Sequence, residues 1–234
     1  MKIGIMQPYL FPYIGYFQLI SEVDKFIIYD DVNFIKQGWI NRNSILNNEK
    51  SIFFVLPLEN QSSFKKINET NINVNFFEIW KKKFLKTIYQ NYSKAPFFKT
   101  IYLILEDCLI FDNGSISNLN FQTLKKIINY LQIDTKIIES SLIYKNNHLN
   151  ASERIIDICN QEKASNYVNL LGGINLYDKS NFFLKDIDLN FIKSKEIIYK
   201  QFKNNFVSNL SIIDVLMFND VEKIKFFLKE IELT

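Results

Sequence analysis

The chain has 234 residues, and 47% hydrophobic side chains with 15% aromatics supply enough apolar surface for the core of one domain spanning residues 1–234. No apolar run reaches the length of a transmembrane helix, and Gln7, Pro8 and Pro12 interrupt the apolar stretch that a signal peptide requires. These features exclude membrane insertion and predict a cytoplasmic protein. The net charge of +3 is spread over lysines mixed with acidic residues, so nucleic-acid binding is not predicted.

Rare residue types are informative in a chain rich in Lys, Asn and Ile. Arg42 and Arg154 are the two arginines, and His148 is the one histidine. Cys108 and Cys159 lie far apart and form no CxxC motif, which predicts neither a zinc site nor a disulfide. The sequence therefore predicts no metal centre, and the arginines and their acidic neighbours become the main candidates.

The N-terminal segment has the pattern of a strand, a helix and a second strand. Residues 2–6 alternate polar and apolar side chains and stop at Gln7-Pro8, because proline has no N–H for a sheet ladder. Apolar side chains at helical spacing predict a helix over 13–23, and a β-branched and aromatic run predicts a buried strand over 25–29. This βαβ unit predicts parallel strands with a right-handed crossover.

The rest of the chain alternates between the same two patterns. Further strands are predicted over residues 51–58, 136–143, 166–170 and 195–200. Further helices are predicted over residues 74–92, 96–111, 118–131 (after a turn at Asn113-Gly114), 151–161, 210–218 and 221–231. This alternation predicts a three-layer, mainly parallel α/β fold that is Rossmann-like, with extra helices at the C-terminus.

The loop after the first strand is the first part of a candidate site. In an open parallel sheet, ligands bind at the carboxyl ends of the strands, where this loop begins. Its prolines and aromatic rings can stack on a base or a sugar, and its glutamine offers an amide. The candidate substrate-binding residues are Gln7, Pro8, Tyr9, Tyr13, Gly15 and Tyr16. The alternative is an aromatic-rich loop that only packs over the core.

The loop after the second strand begins with two adjacent carboxylates, Asp30 and Asp31. Paired carboxylates can share a proton, hold Mg²⁺ with substrate phosphates, or bind a sugar hydroxyl, so both are candidate catalytic residues. Alternatively, one caps the next turn and the other is solvated. The run that follows adds cations that can clamp a diphosphate or a carboxylate, a large aromatic and an amide. These candidate substrate-binding residues are Lys36, Trp39, Arg42 and Asn43.

A third group lies at the start of the predicted helix 151–161. Glu153 and Asp157 share one face of this helix, so Arg154 can pair outside it with one of the two aspartates after the second strand. Glu153 and Arg154 are therefore candidate substrate-binding residues. A purely structural buried ion pair is the alternative.

Three weaker candidates remain. His148 lies in a polar loop, and only its ordinary pKa range makes it a candidate general base. Cys159 lies on the apolar stripe of its helix, which favours a core position over a nucleophile. Gly172-Gly173 can form a tight turn that cradles phosphate, although a bare Gly-Gly pair is a weak signal.

Four blocks of the sequence resemble the WbqC-like family of bacterial proteins. In chain order they are KIGIMQPYLFPYIGYFQLI, VDKFIIYDDVNFIKQGWINRN, ASERIIDIC and FVSNLSIIDVLMFN, and they run from Lys2 to Asn219. The resemblance implies an association with gene clusters for O-antigen, part of lipopolysaccharide, and for other surface polysaccharides, and modification of unusual sugars. It supplies no established catalytic residues. Family members commonly carry a Ser-Gly-Pro-type turn where this chain has residues 169–173, and His148 lies outside the four blocks.

The segment after the first strand is also similar to nucleotidylyltransferase-like folds. In those folds a Gly-His pair opens the first helix, and Gly15-Tyr16 stands at that place here. The similarity implies nucleotide binding at this edge of the sheet, without the contact that the histidine makes to the transition state. Similarity of fold alone does not identify the reaction.

The leading hypothesis is a transferase that adds an acyl or aminoacyl group to an amino sugar that is linked to a nucleotide. Its small-molecule partners are the nucleotide-linked sugar and an acyl or aminoacyl donor of unknown identity. One alternative is an ATP-dependent ligase or nucleotidyltransferase, which requires Mg²⁺ and ATP. The other is a non-catalytic binding module of a polysaccharide assembly complex. The oligomeric state stays open, with a homodimer among the options.

Overall fold

Short parallel strands and longer helices alternate along the chain. The computed structural model describes residues 1–111, 114–202 and 205–234, so Asn113 of the predicted turn lies outside the described residues. The strands in this part of the chain are β1 (Lys2–Met6), β2 (Lys25–Ile28), β3 (Arg42–Asn47), β4 (Lys50–Val55), β5 (Lys136–Ile138), β6 (Asn166–Leu170), β7 (Asp188–Ser194) and β8 (Ile231–Leu233).

In the described part of the chain, three α-helices have five to eight residues and five have nine to nineteen. They are α1 (Ile14–Glu22), α2 (Val74–Tyr92), α3 (Phe98–Cys108), α4 (Ile116–Leu131), α5 (Ala151–Gln161), α6 (Lys179–Phe183), α7 (Ile212–Phe218) and α8 (Val221–Leu228). Short 3₁₀ helices follow the carboxyl ends of β5 and β6, at Ser141–Tyr144 and Leu171–Leu176. The bounds of α2, α5, β1 and β6 are those that the sequence pattern predicts.

The main sheet has the strand order β5-β2-β1-β6-β7-β8. All neighbouring pairs are parallel except β7 and β8, which are antiparallel. Met6 lies opposite Ile28, and Gly4 lies opposite Val168, so β1 is central and its carboxyl end adjoins that of β2. The mixed α/β fold with a mainly parallel sheet is therefore confirmed, and the loops after β1 and β2 begin at the same edge.

Two separate hydrophobic clusters cover the two faces of the sheet. Because side chains alternate along a strand, Phe26 and Ile28 join one cluster whereas Ile27 joins the other. The first cluster includes apolar residues of α1, α3, α4, α7 and α8, and the second includes those of α5 and α6. Helices therefore pack on both faces of the sheet, and the loops lie at the ends of the strands.

The strand predicted over residues 51–58 lies outside the main sheet, and this is a correction. It is β4, which ends at Val55 and pairs in an antiparallel hairpin with β3. The sequence does not predict β3 because four of its six residues are polar and give no apolar alternation. Asn43 and Ser44 are nevertheless buried there, because their polar groups bond to neighbouring loops.

The prediction of a core strand over residues 195–200 is wrong. The strand is β7, one segment earlier, and it pairs with β6 so that Leu170 lies opposite Ile192. Residues 195–200 continue beyond it as extended chain outside the ladder, and Ile198 is exposed. The prediction follows from the high β-propensity of Ile197 and Ile198. A local sequence pattern does not show which apolar residues are buried in the core. Likewise, only Lys136–Ile138 of the segment 136–143 forms a strand.

A buried carboxylate, Asp214 in α7, joins the hairpin to the rest of the protein. The hydroxyls of Tyr92 and Tyr199 donate to it at 2.7 and 2.6 Å, and Gln201 Nε2 donates at 2.6 Å. The Tyr92 hydroxyl also accepts a hydrogen bond from the backbone N–H of Leu46 in β3, at 2.8 Å. Burial raises the pKa of Asp214, and the hydrogen bonds from Tyr199, Tyr92 and Gln201 oppose that shift.

We expect Tyr92→Phe to lower the free energy of unfolding by about 1–3 kcal/mol, because it leaves a buried carboxylate oxygen and a backbone N–H without their shared partner. Urea unfolding at neutral pH measures the change. Tyr89→Phe is the matched control, since Tyr89 lies on the same helix with an exposed side chain. Equal stabilities of the two variants would contradict a role for this cluster.

Candidate active site at the carboxyl edge of the sheet

Asp30 is buried directly after β2, with 3% of the residue exposed. Ser117 Oγ of α4 donates to Oδ2 at 2.7 Å, and Ser140 Oγ donates to Oδ1 at 2.6 Å. The backbone N–H of Ser141 adds a bond to Oδ1 at 3.2 Å. Neutral donors from α4 and from the end of β5 therefore hold this carboxylate, and no lysine or arginine in the described ranges forms an ion pair with it.

Burial raises the pKa of Asp30 above the ordinary value of 3.8. Hydrogen bonds from the serines act in the opposite direction, and the negative charge of Asp31 adds to the upward shift. A carboxylate with a raised pKa binds a proton more readily than a solvated one. A raised pKa is one property that a general base requires, and the role of Asp30 stays a prediction.

Asp31 forms a buried ion pair with Arg154, which the sequence predicts to pair with one of the two aspartates. Arg154 Nη2 lies 2.6 Å from Oδ1 and 2.7 Å from Oδ2, and Ser141 Oγ donates to Oδ1 at 2.5 Å. Asn146 Oδ1 accepts from Arg154 Nε at 3.1 Å, and the guanidinium lies over the ring of Tyr29 at 4.9 Å from its centroid. The charge of Asp31 is neutralised, whereas that of Asp30 is not.

Asp30 also lines a cavity of about 340 Å³ between α4 and the end of β5. Glu139 lies at the same cavity, and among the described residues no lysine or arginine lines it. The cluster of Asp30, Asp31 and Arg154 carries two negative charges and one positive charge. This excess of negative charge favours a ligand group that is cationic or that donates a proton. The other lining residues are Ser115, Ser117, Asn118, Ile138, Ser140 and Ile143.

A second pocket, also of about 340 Å³, is aromatic. Its walls are Tyr9, Pro12, Tyr13, Trp39, Asn43 and Asn209. A Cβ at Gly15 would lie 2.4 Å from Cε2 of Tyr13, so the glycine leaves room for the Tyr13 ring against the start of α1. Rings of this kind stack on the flat face of a base or a sugar, and we call this the aromatic pocket.

Arg42 lies beside the aromatic pocket without a carboxylate partner among the described residues. Its guanidinium stacks on the rings of Trp39 and Phe53, at 5.7 and 5.2 Å from their centroids, and its Nε donates to the carbonyl of Gly38 at 3.1 Å. Lys36 is exposed in the turn that precedes Trp39. The predicted cations therefore stand near the aromatic wall, with Arg42 held by stacking.

The site predicted from sequence thus divides into two parts. The aromatic pocket and the cavity of Asp30 have no lining residue in common, and Arg154 lines neither. A third, larger cavity of about 660 Å³ lies at the opposite edge of the sheet, between the ends of α1, α4 and α8. It contains no residue that the sequence predicts for the site, and we place the site at the carboxyl edge.

Three candidates of the first loop are buried, and their contact with a ligand stays a prediction. Tyr16 is fully buried, and its hydroxyl donates to the carbonyl of Gln7 at 2.9 Å. Pro8 and Gly15 are also buried, and the Pro8 carbonyl accepts a bond from Asn120. Gln7 itself stays half-buried at the end of β1. Asn43 lines the aromatic pocket, although its amide already donates to backbone carbonyls of the first loop.

Glu153 and His148 lie apart from the buried carboxylates. Glu153 is exposed and accepts a hydrogen bond from the backbone N–H of Asn150, so it caps the start of α5. His148 is exposed in a turn before α5, and no hydrogen bond or ion pair joins it to the described residues. A catalytic role for His148 and a substrate contact for Glu153 have no support from these positions.

The donors around the two aspartates are not predicted from sequence. Ser117, Ser140 and Ser141 are common polar residues that lie 87 to 111 positions away along the chain, and no motif links them to the aspartates. Only the position of Ser140 and Ser141 in the sequence indicates a role, because they lie near the end of a predicted strand at the same edge of the sheet.

Comparison with known proteins identifies the family. The family model of WbqC-like proteins matches residues 7–226, which include both parts of the site. The chain belongs to the WbqC-like protein family. A protein of Mycobacterium tuberculosis (strain ATCC 25618 / H37Rv), described as "Uncharacterized protein Rv1507c", is 32% identical over 218 residues, which cover 92% of each chain. No solved structure matches the chain.

Within residues 1–111, 114–202 and 205–234, no helix combines the length and the apolar character that are needed to cross a bilayer. In the same ranges, no group of three or more His, Cys, Asp or Glu side chains has an arrangement that could hold a metal ion.

The raised pKa of Asp30 predicts how stability depends on pH. The folded protein holds the Asp30 proton more tightly than the unfolded chain does. This contribution is therefore fully present below about pH 3.8 and is lost as the pH rises through the raised pKa. We expect the wild type to lose free energy of unfolding relative to Asp30→Asn as the pH rises from about 3.8 through the raised pKa of Asp30.

Urea unfolding of both proteins at a series of pH values measures this difference. Asp214 also has a raised pKa, but it is present in both proteins and cancels in the comparison. A difference that does not vary with pH would show that the pKa of Asp30 is unshifted.

The buried ion pair predicts a second effect on stability. Arg154→Met leaves Asp31 buried without a cation, so we expect a loss of about 3–5 kcal/mol in the free energy of unfolding. The double variant Asp31→Asn/Arg154→Met should recover part of this loss, because it has no unpaired buried charge. The control is Lys193→Met, which removes an exposed pair with Glu232 that is worth about 0–1 kcal/mol. If both methionine variants lose the same small amount, the Asp31–Arg154 pair has no special weight.

Proposed function

We propose that this protein transfers an acyl or aminoacyl group to the amine of a nucleotide-linked amino sugar, in the biosynthesis of a surface polysaccharide. The observation that carries the proposal is Asp30, a buried carboxylate that borders a cavity and that, in the described part of the chain, is held by neutral donors alone. A base of this kind suits an acceptor that must lose a proton before it attacks. The family resemblance supports the polysaccharide setting.

The negative charge around Asp30 favours entry of the acceptor amine as an ammonium group. Asp30 accepts one proton from it, and the neutral nitrogen attacks the carbonyl carbon of a thioester or ester donor. The C–N bond forms and the C–S or C–O bond to the carrier breaks. The second proton of the nitrogen goes to the leaving sulfur or oxygen, and Asp30 releases its proton to water.

The aromatic pocket and Arg42 support binding of the nucleotide-linked part of the acceptor. Tyr9, Tyr13 and Trp39 offer faces on which a base or a sugar ring stacks. Arg42 has no carboxylate partner in the described ranges and keeps its Nη groups for a phosphate, with Lys36 as a second cation nearby. Asp31 and Arg154 would act by holding the loop that carries Asp30.

A Rossmann-like character of the sheet belongs to the same proposal. The strand order changes direction at β1, because β2 and β5 lie on one side of it and β6 and β7 on the other. In open α/β sheets, ligands bind at the carboxyl edge beside such a point. The ATP-dependent ligase or nucleotidyltransferase is less favoured, since Tyr16 stands where nucleotidylyltransferase-like folds have a histidine, and it is fully buried.

The proposal is tested by incubating the protein with nucleotide-linked amino sugars and a panel of acyl and aminoacyl thioesters and esters. Mass spectrometry detects the acylated sugar. We expect Asp30→Asn to lower the rate at least about 100-fold, as for loss of a general base. The control Asp134→Asn changes an exposed carboxylate at the opposite edge of the sheet and should keep the wild-type rate.

Three outcomes oppose the proposal. Absence of product across a broad panel removes the transferase assignment. An undiminished rate in Asp30→Asn removes the role of Asp30. Strict dependence of the reaction on Mg²⁺ and ATP identifies the ligase or nucleotidyltransferase instead, since acyl transfer from a thioester needs neither.

A further inference from the structure

Asn120 in α4 connects the two loops that build the aromatic pocket. It is 1% exposed, and its Nδ2 donates to the carbonyls of Pro8 at 3.1 Å and Ile40 at 2.8 Å. Pro8 precedes Tyr9, and Ile40 follows Trp39, so one side chain holds both aromatic walls. The backbone N–H of Leu10, which donates to the carbonyl of Trp39 at 3.1 Å, adds a direct bond between the loops.

The amide of Asn120 has only one orientation that satisfies these contacts. Both of its partners are carbonyl oxygens, which accept hydrogen bonds, so the NH₂ group must face them. The amide oxygen is then buried, and it has no hydrogen-bond partner among the described residues. An unsatisfied buried acceptor is unfavourable and needs an explanation. The cost of the unsatisfied oxygen is explained if the carbonyls of Pro8 and Ile40 both require a donor and one amide group supplies the two.

Helix α4 relates Asn120 to the candidate base. Ser117, which donates to Asp30, lies three residues before Asn120. Side chains three positions apart on a helix are neighbours on one face, with roughly 5–6 Å between their Cβ atoms. One turn of α4 therefore bonds to Asp30 through one residue and to both walls of the aromatic pocket through the other.

We infer that Asn120 is a positioning residue, which holds the aromatic pocket at a set distance from Asp30. Its effect is on the two loops, and it touches neither the reacting amine nor the donor. For the reaction, the inference rests on the proposed function, in which one acceptor extends from the aromatic pocket to Asp30.

The test uses Trp39 as a reporter. The two tryptophans are Trp39 and Trp80, so Trp80→Phe leaves Trp39 as the only one. In this background, Asn120→Asp replaces the two donors with a carboxylate of the same shape that faces two carbonyl oxygens. Asn120→Ser keeps one hydroxyl donor and serves if the aspartate variant does not fold. Asn129→Asp is the control, with the same change at an exposed position of α4.

We expect acrylamide to quench Trp39 more strongly in Asn120→Asp than in the parent or in Asn129→Asp, with Asn120→Ser between them. Titration with a nucleotide-linked amino sugar should show binding at least about tenfold weaker in Asn120→Asp, since loss of one buried hydrogen bond alone has about this effect and the variant loses two. Circular dichroism establishes which variants are folded.

Quenching does not require a ligand, so the two proposals can fail separately. If quenching rises but the parent binds no nucleotide-linked sugar, Asn120 still positions the loops and the proposed acceptor is wrong. If the folded variants show the quenching of the parent, the inference is overturned, whatever their ligand affinity.

Discussion

Burial of two adjacent carboxylates at the end of β2 is the constraint on which the surrounding structure depends. Asp30 and Asp31 are almost completely buried, and an isolated charge in that environment costs several kcal/mol unless it is compensated. The two are compensated in different ways, Asp31 by the guanidinium of Arg154 and Asp30 by hydroxyl and backbone donors. The ends of β2 and β5 and the starts of α4 and α5 must therefore meet at one place.

This constraint explains which parts of the fold a local pattern can predict. Helix α2 and strand β6 have the bounds that their patterns predict, because α2 buries an apolar stripe and β6 buries Tyr167 and Val168 on opposite faces of the sheet. β3 is different, since its buried positions include Asn43 and Ser44, whose partners are the distant residues Phe11 and Ser211. Polar residues can be buried when long-range hydrogen bonds satisfy them, and no local window contains those bonds.

The same reasoning applies to the candidate site. Topology is sufficient to bring Asp30 and Asp31 to the edge where the first loop begins, and two arginines in 234 residues make Arg154 conspicuous. It is not sufficient to find Ser117 or Asn120, because a serine or an asparagine in a helix more often faces solvent. It also does not separate Tyr16 from Tyr13, although the first bonds inside the loop and the second lines a pocket. The direction of each side chain decides, and tertiary packing sets that direction.

A comparison of Asp30 with Asp214 shows what distinguishes a candidate base from a structural carboxylate. Both are buried, both have a raised pKa, and both are held by neutral donors. Asp214 bonds to two tyrosine hydroxyls and a glutamine amide that together join α7, α2 and the segment after β7, and it is fully buried. Asp30 lines a cavity at the carboxyl edge. A raised pKa alone therefore does not identify the base, because a base must also be reached by the group whose proton it takes, and of these two carboxylates only Asp30 borders space for that group.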